Sequence, residues 1–455
     1  MLSGSACKIF SGIPLQTLLE DRTITSRPPH DVVRSRLEFD QTDSYWWDTT
    51  GVVLSKLMTQ AGYPLAVHYK ALAFLYDNVL QAWGPIPHGT DGQSDGRPWK
   101  ATFLEDGSNF EPSLNLSATG TTETCVRFTI ECNSALSGTS EDILNQKATH
   151  ALIMRCADAL PDFDLTVYNY MVETLMCDDK EALRLIQDFP TCRHPQILFA
   201  FDFERSGRIL GKCVPFLYWK SHQLGITRKA LATKFISGVP EVGPHFAPCL
   251  AAWNDFMVSV PAELGGEPTT ECMNFDVVKP GKNSRIKIYI RPHKTSFNCA
   301  KYFYTLGGLL NDDATLEGIR ILRIFYEVLL DIKEGEEDKE LTTYQSGSGS
   351  LLFNCAFRPG AALPIPQFYI TIWKFMPSNA VIMERLTAFW RRIGWNQQAE
   401  KYAQDWQDTF PWVNASECGN TTVLSFAYKA GGSGIYQSVY YSPMAHVAAE
   451  RLGYV

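Results

Sequence analysis

Ser284-Arg285-Ile286-Lys287-Ile288-Tyr289 sets an arginine, a lysine and a tyrosine two apart, so in an extended strand all three share one face and the isoleucines take the other. Two fixed cations at strand spacing are costly to bury unless an anion meets them, and a guanidinium fork beside an ammonium point charge suits a phosphate. Taken alone, the hexamer reads more readily as a solvated strand face with surface charges. Recurrence separates the two readings. Alternating segments come in pairs joined by short turns: 113–118 with 124–132, 196–204 with 208–216, 271–278 with 284–291, 350–358 with 367–375, and 422–429 with 434–441. The second member of every pair carries anion-binding or phenolic side chains, namely Arg127, Lys212, Arg285 with Lys287 and Tyr289, Gln367 with Tyr369, and Tyr436 with Tyr440.

Positioning so many polar groups around one ligand needs elements that repeat. Helical periodicity fills the intervals between pairs, with Ser140-Glu141-Asp142 opening a run to Leu160 and Ser378-Asn379 one to Ile393, and each interval has room for two helices. The unit recurs about every 70 to 85 residues, which calls for a repeat or closed architecture. Ten antiparallel strands leave two bare edges in an open sheet, and closure removes them. The expected fold class is therefore α+β, a closed ten-stranded antiparallel β-barrel of five αββα repeats with helices outside. It forms one domain over residues 1–455 with an N-terminal helical segment at about 1–100. Inward-facing cations and phenols then make a cationic cup rimmed with tyrosines.

A net charge of -8 argues against a nucleic-acid partner, so an anionic ligand must be met locally. Twelve cysteines contain no CxxC pair, and no apolar run approaches the roughly 20 residues that span a bilayer. Lys8 interrupts the one leader-like stretch. A soluble protein of the reducing cytoplasm is expected, with no membrane partner and with the sequons at Asn115, Asn414 and Asn420 as chance matches. The histidines are dispersed, and there is no Walker loop, GxGxxG or GxSxG. Asp178-Asp179-Lys180-Glu181-Ala182 and Asp312-Asp313-Ala314-Thr315-Leu316 lack the last carboxylate of a magnesium-binding DDxxD pattern and suit helix N-termini. No metal and no cofactor are expected.

Beyond these local patterns, Tyr45-Trp46-Trp47-Asp48-Thr49-Thr50-Gly51, Ala61-Gly62-Tyr63, Trp83-Gly84-Pro85, Phe110-Glu111-Pro112-Ser113, Val126-Arg127-Phe128, the hexamer at 284–289, Pro366-Gln367-Phe368-Tyr369 and Tyr436-Gln437-Ser438-Val439-Tyr440 follow one another in order. In that order the chain resembles the fungal aromatic prenyltransferases of the dimethylallyltryptophan synthase family over nearly its whole length. The resemblance implies a ten-stranded barrel and transfer of a prenyl group from an allylic diphosphate to an aromatic carbon of an indole-containing secondary metabolite, without metal. It implies that Arg127, Lys212, Arg285, Lys287 and Gln367 hold the diphosphate, that Tyr289, Tyr369, Tyr436 and Tyr440 shield the allylic cation, and that Glu111 accepts the indole N–H. The chemistry is consistent: ionisation of the carbon–oxygen bond leaves an anion that fixed cations stabilise, while aromatic faces stabilise the carbocation and exclude water.

Two positions depart from the family. Val214 stands where a tyrosine is usual, which enlarges the cup and favours a longer donor or a bulkier acceptor. Phe203-Glu204-Arg205 offers no lysine as a proton relay, so the base for rearomatisation is unassigned. No arginine occurs between Arg228 and Arg285 to anchor an α-carboxylate, which favours a larger indole compound over a free amino acid. A phenolic or polyketide-derived acceptor, a non-catalytic carrier of an aromatic or lipid-like ligand, and a terpene cyclase are the competing readings, and a homodimer is open to any of them.

Overall fold

Along strand after strand, the outward side chains are large and apolar and the inward ones polar. On one strand Phe199, Phe201 and Phe203 are buried and alternate with Ala200 and Asp202, and on another Ile286, Ile288 and Ile290 are buried and alternate with Lys287, Tyr289 and Arg291. In this computed structural model, which describes residues 27–87, 99–117, 120–189, 195–346, 349–429 and 434–454 with 8–9, 13–14 and 19, that alternation is resolved as a closed barrel. Cys7, Cys192, His88, His194, much of the start of the N-terminal helical segment and the turns of the first and last hairpins lie outside the described residues.

The ten barrel strands, β1 to β10 in chain order, are Phe110–Ser117, Gly120–Ile130, Ile197–Phe203, Ile209–Pro215, Thr269–Asp276, Ile286–Arg291, Leu351–Phe357, Ile365–Ile370, Thr421–Lys429 and Gly434–Tyr441. Each pairs antiparallel with its sequence neighbours, and β10 closes on β1 through Ser438 opposite Asn115. The strand ends that the hairpins join therefore lie at one end of the barrel and those that the helical connections join at the other. Helices cover the outer face and bury it, each large apolar side chain contributing roughly 1.5–3 kcal/mol. The inward residues of β6 stay half-exposed while their outward neighbours are fully covered, which is the signature of a hollow lumen.

The expected barrel is observed, with three local corrections. Strand β8 ends at Ile370 rather than running on to Phe375, because the Thr371 hydroxyl accepts from Ser350 N at 3.1 Å and donates to Ser350 O, and residues Ile372–Phe375 then turn into a 3-10 helix. The helix expected to open at Ser140 begins at Lys147, since Asp142 spends its carboxylate on the backbone N–H groups of Gln146 and Lys147. Two intervals hold three helices, not two: Lys147–Ala159, Thr166–Leu175 and Asp179–Asp188 between β2 and β3, and Tyr218–Leu224, Arg228–Ser237 and Ala247–Ser259 between β4 and β5. The helix start at Ser378 is as expected, its hydroxyl capping Val381 N, and Asp178 and Asp312 cap helices in the same way.

Residues before the barrel brace its first strand. Trp46 donates its indole N–H to Gly84 O at 2.8 Å and stacks on Trp83, which meets Phe110 edge-on. Asn109 donates to Trp83 O at 3.1 Å. Tyr63 wedges between β2 and β3, its hydroxyl accepting from Val126 N at 2.9 Å and donating to Phe203 O.

Candidate active site in the barrel lumen

The Tyr63 wedge holds β2 and β3 in the register that sets Arg127 directly opposite Asp202. Arg127 Nε lies 3.0 Å from Asp202 Oδ2, and Lys212 on β4 reaches the same carboxylate. On the neighbouring pair, Arg285 Nη2 makes an ion pair with Asp276 Oδ1 at 3.1 Å. Two carboxylates thus face four cations. Lys287 lies opposite Asn274 on β5 and Ala356 on β7, and its side chain makes no hydrogen bond or ion pair among the described residues. Burial, together with Arg285, Lys212 and Arg127, drives its ammonium well below the ordinary lysine value. Burial pushes the Asp202 carboxyl up, but Arg127 and Lys212 outweigh it and hold the group below the usual aspartate value. The cluster has a surplus of positive charge, centred on Lys287, that a polyanion would satisfy.

Asp202 and Asp276 were not among the residues singled out from the sequence, and both come from the first strand of a hairpin. The Phe199-Ala200-Phe201-Asp202-Phe203 alternation carried the signal, since it turns Asp202 inward once the phenylalanines face out. Asn115 was likewise seen only as a sequon; it is 1% exposed, and its Oδ1 accepts from Arg127 at 2.9 Å, from Tyr436 OH at 3.0 Å and from Ser438. A buried lumen asparagine is closed to glycosylation.

The phenols divide into two groups. Tyr289, Tyr369 and Tyr440 touch ring to ring, with centroids 5.9 Å apart for the first pair and 6.2 Å for the second. Asn354 donates to Tyr369 OH at 2.8 Å and orients that ring. Tyr436 stands apart beside the cations: Arg127 donates to its hydroxyl at 2.8 Å, and Lys429 Nζ sits 3.4 Å from the ring centroid. Gln367, opposite Asn354, donates to Ser425 Oγ at 3.0 Å. Val214 is half-buried, two residues beyond Lys212 on β4. Along the strands, Arg285, Asp202 and Tyr436 lie toward the hairpin-turn end, and the tyrosine trio toward the helical end.

Glu111, second residue of β1, is at the helical end and only 7% exposed. Among the described residues the one hydrogen bond to its carboxyl group comes from the Thr422 hydroxyl at 3.2 Å. Burial pushes its carboxyl up to about 8, against the pull of that hydrogen bond. A poorly satisfied buried carboxylate has unused acceptor capacity for an incoming N–H.

Comparison with known proteins agrees with this geometry. The family model described as Tryptophan dimethylallyltransferase matches residues 42–405, well over half the chain. The chain belongs to that family. It is 29% identical over 422 residues to the 7-dimethylallyltryptophan synthase of Aspergillus fumigatus, covering 91% of this chain and 88% of that protein. It is 27% identical over 423 residues to the indole diterpene prenyltransferase nodD2 of Hypoxylon pulicicidum, covering 91% of this chain and 95% of the relative. Among solved structures, AnaPT from Neosartorya fischeri shares the fold with a TM-score of 0.78 and 24% identity, over 92% of this chain and 98% of that one. This member of the tryptophan dimethylallyltransferase family has no group of three or more potential metal ligands among its described residues, and no helix there is long and apolar enough to cross a membrane.

Proposed function

We propose that this chain transfers a prenyl group from an allylic diphosphate to an aromatic carbon of an indole-containing acceptor. The observation that carries the reading is the juxtaposition, in one hollow lumen, of four cations against two carboxylates with a row of three tyrosines in which Tyr369 touches both Tyr289 and Tyr440. Arg127, Lys212, Arg285 and Lys287, with Gln367, bind the diphosphate and stabilise it as a leaving group. Tyr289, Tyr369 and Tyr440 surround the allylic cation with aromatic faces, and Tyr436 closes the site on the diphosphate side. Glu111 accepts the indole N–H as positive charge develops in the ring, which raises its nucleophilicity. The side-chain cations supply the charge that a metal would otherwise bring, so the reaction is proposed to need none. All ten described cysteines are free, which supports a reducing setting such as the cytoplasm.

The test is incubation of the purified chain with dimethylallyl or geranyl diphosphate and a panel of indole and phenolic acceptors, with products read by mass spectrometry. Prenylated indoles support the reading. Binding without product across the panel would replace it with a carrier, and product formed without an acceptor would replace it with a cyclase.

A further inference from the structure

Outside the barrel, toward its hairpin end, a cavity of about 350 Å³ lies between the outer face of β1, the C-terminal end of the Val52–Gln60 helix and the Asn396–Thr409 helix. That volume is within the range of about 300–1,000 Å³ common for small-ligand sites, and none of the roles assigned above uses it. Leu114 and Leu116 form its floor. They alternate with Asn115, whose side chain bonds Arg127 in the lumen, so cavity and lumen lie on opposite faces of one strand. Trp390 and Tyr402 also line the cavity, and their rings meet edge-on at 4.9 Å to make an aromatic corner.

The helix stripe that faces this wall is polar: Gln398, Lys401, Tyr402 and Asp405 recur at i, i+3, i+4 and i+7. Most of the polar lining is spent on itself. Lys401 donates to Gln60 O at 3.0 Å and pairs with Asp405 at 3.4 Å. Arg205 donates to Ala61 O and Gly62 O, each at 2.6 Å, and the Gln60 amide donates to Asp405 O and Thr409 Oγ1. Both cations thus serve the carbonyl end of the Val52–Gln60 helix. Gln398 differs. It is 7% exposed and lines the cavity, its side chain makes no hydrogen bond among the described residues, and its amide atoms are not sealed in protein. A buried amide with neither donor nor acceptor engaged marks a place where a partner is missing.

We propose that this cavity is a second ligand site, outside the lumen, for a neutral apolar molecule that carries a lactam or primary amide, with Gln398 as the residue that recognises it. A side-chain amide presents a donor and an acceptor side by side, and a lactam or primary amide offers the complementary pair, so two hydrogen bonds form together. A carboxylate has no donor for the Gln398 carbonyl oxygen and would lie in one cavity with Asp405, while an organic cation would share it with Lys401 and Arg205. Leu114, Leu116 and the aromatic corner take the apolar body.

The test uses a caprolactam that carries a cyclohexyl group on a ring carbon, and its N-methyl derivative, which keeps the apolar body and loses the N–H donor. Calorimetry on the full chain is expected to show the lactam bound and the N-methyl derivative about tenfold weaker. Gln398→Leu, close in volume but without the amide, should weaken the lactam by about the same factor and leave the N-methyl derivative nearly unaffected, since the amide pair is already broken there. No binding up to about 1 mM lactam overturns the site. Binding that neither N-methylation nor Gln398→Leu weakens also overturns it, because the lactam then sits elsewhere, the lumen included. The N-methyl comparison is made on the unaltered chain, so it holds even where the variant does not fold. Each readout is binding alone at a residue outside the lumen, so failure here leaves the prenyl-transfer reading intact.

Discussion

Arg127 Nε lies 3.0 Å from Asp202 Oδ2, and the Lys212 ammonium shares that carboxylate, so one acid holds two of the four lumen cations in place. This arrangement preorganises the anion site at the cost of a repulsive cluster that Asp202 alone keeps tolerable on its side of the lumen.

Asp202→Asn is therefore expected to destabilise the free protein by about 3–5 kcal/mol, the usual penalty for leaving a buried ion-pair partner alone. Inorganic diphosphate should recover much of the lost Tm, because it supplies the missing charge. Melting curves with and without diphosphate check this, and a variant as stable as the parent refutes it.

Lys287 poses the opposite case. With no side-chain hydrogen bond or ion pair among the described residues and with Arg285, Lys212 and Arg127 nearby, it opposes folding while serving the ligand. Lys287→Met is expected to raise Tm and to lower kcat/KM for the prenyl diphosphate by about 10- to 100-fold, the worth of one charge-assisted contact. Diphosphate binding to the parent should also take up protons at pH values below the ordinary lysine value of 10.5, since the anion raises a lysine pKa that burial and neighbouring cations depress. Calorimetry in buffers of differing ionisation enthalpy measures that uptake.

Glu111 sets a pH dependence of definite sign. As an N–H acceptor it must be ionised, and its carboxyl is pushed up to about 8, so kcat/KM should rise as pH climbs from about 7 to 9. A carboxyl raised in the folded state binds its proton more tightly there than in the unfolded chain. Its stabilising effect is complete below the ordinary glutamate value and is lost as pH rises through about 8. Glu111→Gln should lose about 10²–10⁴-fold in kcat, flatten that limb of the rate profile and melt higher than the parent above pH 8.

The tyrosine trio is expected to protect the cation through its faces rather than its hydroxyls. Tyr440→Phe should retain most activity, while Tyr440→Leu should increase the fraction of donor hydrolysed to the free alcohol relative to prenylated product, as quantified by chromatography.

Turnover should persist in excess chelator, because Arg127, Lys212, Arg285 and Lys287 offset the leaving-group charge. Loss of activity in chelator that magnesium restores would contradict this account.

Much of the architecture was legible from the chain because strand alternation is local: the spacing of Arg285, Lys287 and Tyr289 settles which of them share a face wherever the strand is placed. Five such hairpins, and the bare edges that ten strands would leave, made closure the expected solution. Tertiary structure alone decided which charges are compensated and which rings meet. Asp202 reaches Arg127 only through the β2–β3 register, Tyr436 meets Asn115 only where β10 closes on β1, and Glu111 meets Thr422 from the far end of the chain. Those relationships depend on register and closure, which bring together residues 321 and 311 positions apart in two of the three cases, so no local period could encode them. The alternation of its strand places Lys287 on the face of Arg285 and Tyr289, but that it, of the four lumen cations, lacks a carboxylate partner among the described residues emerged only when the barrel had closed.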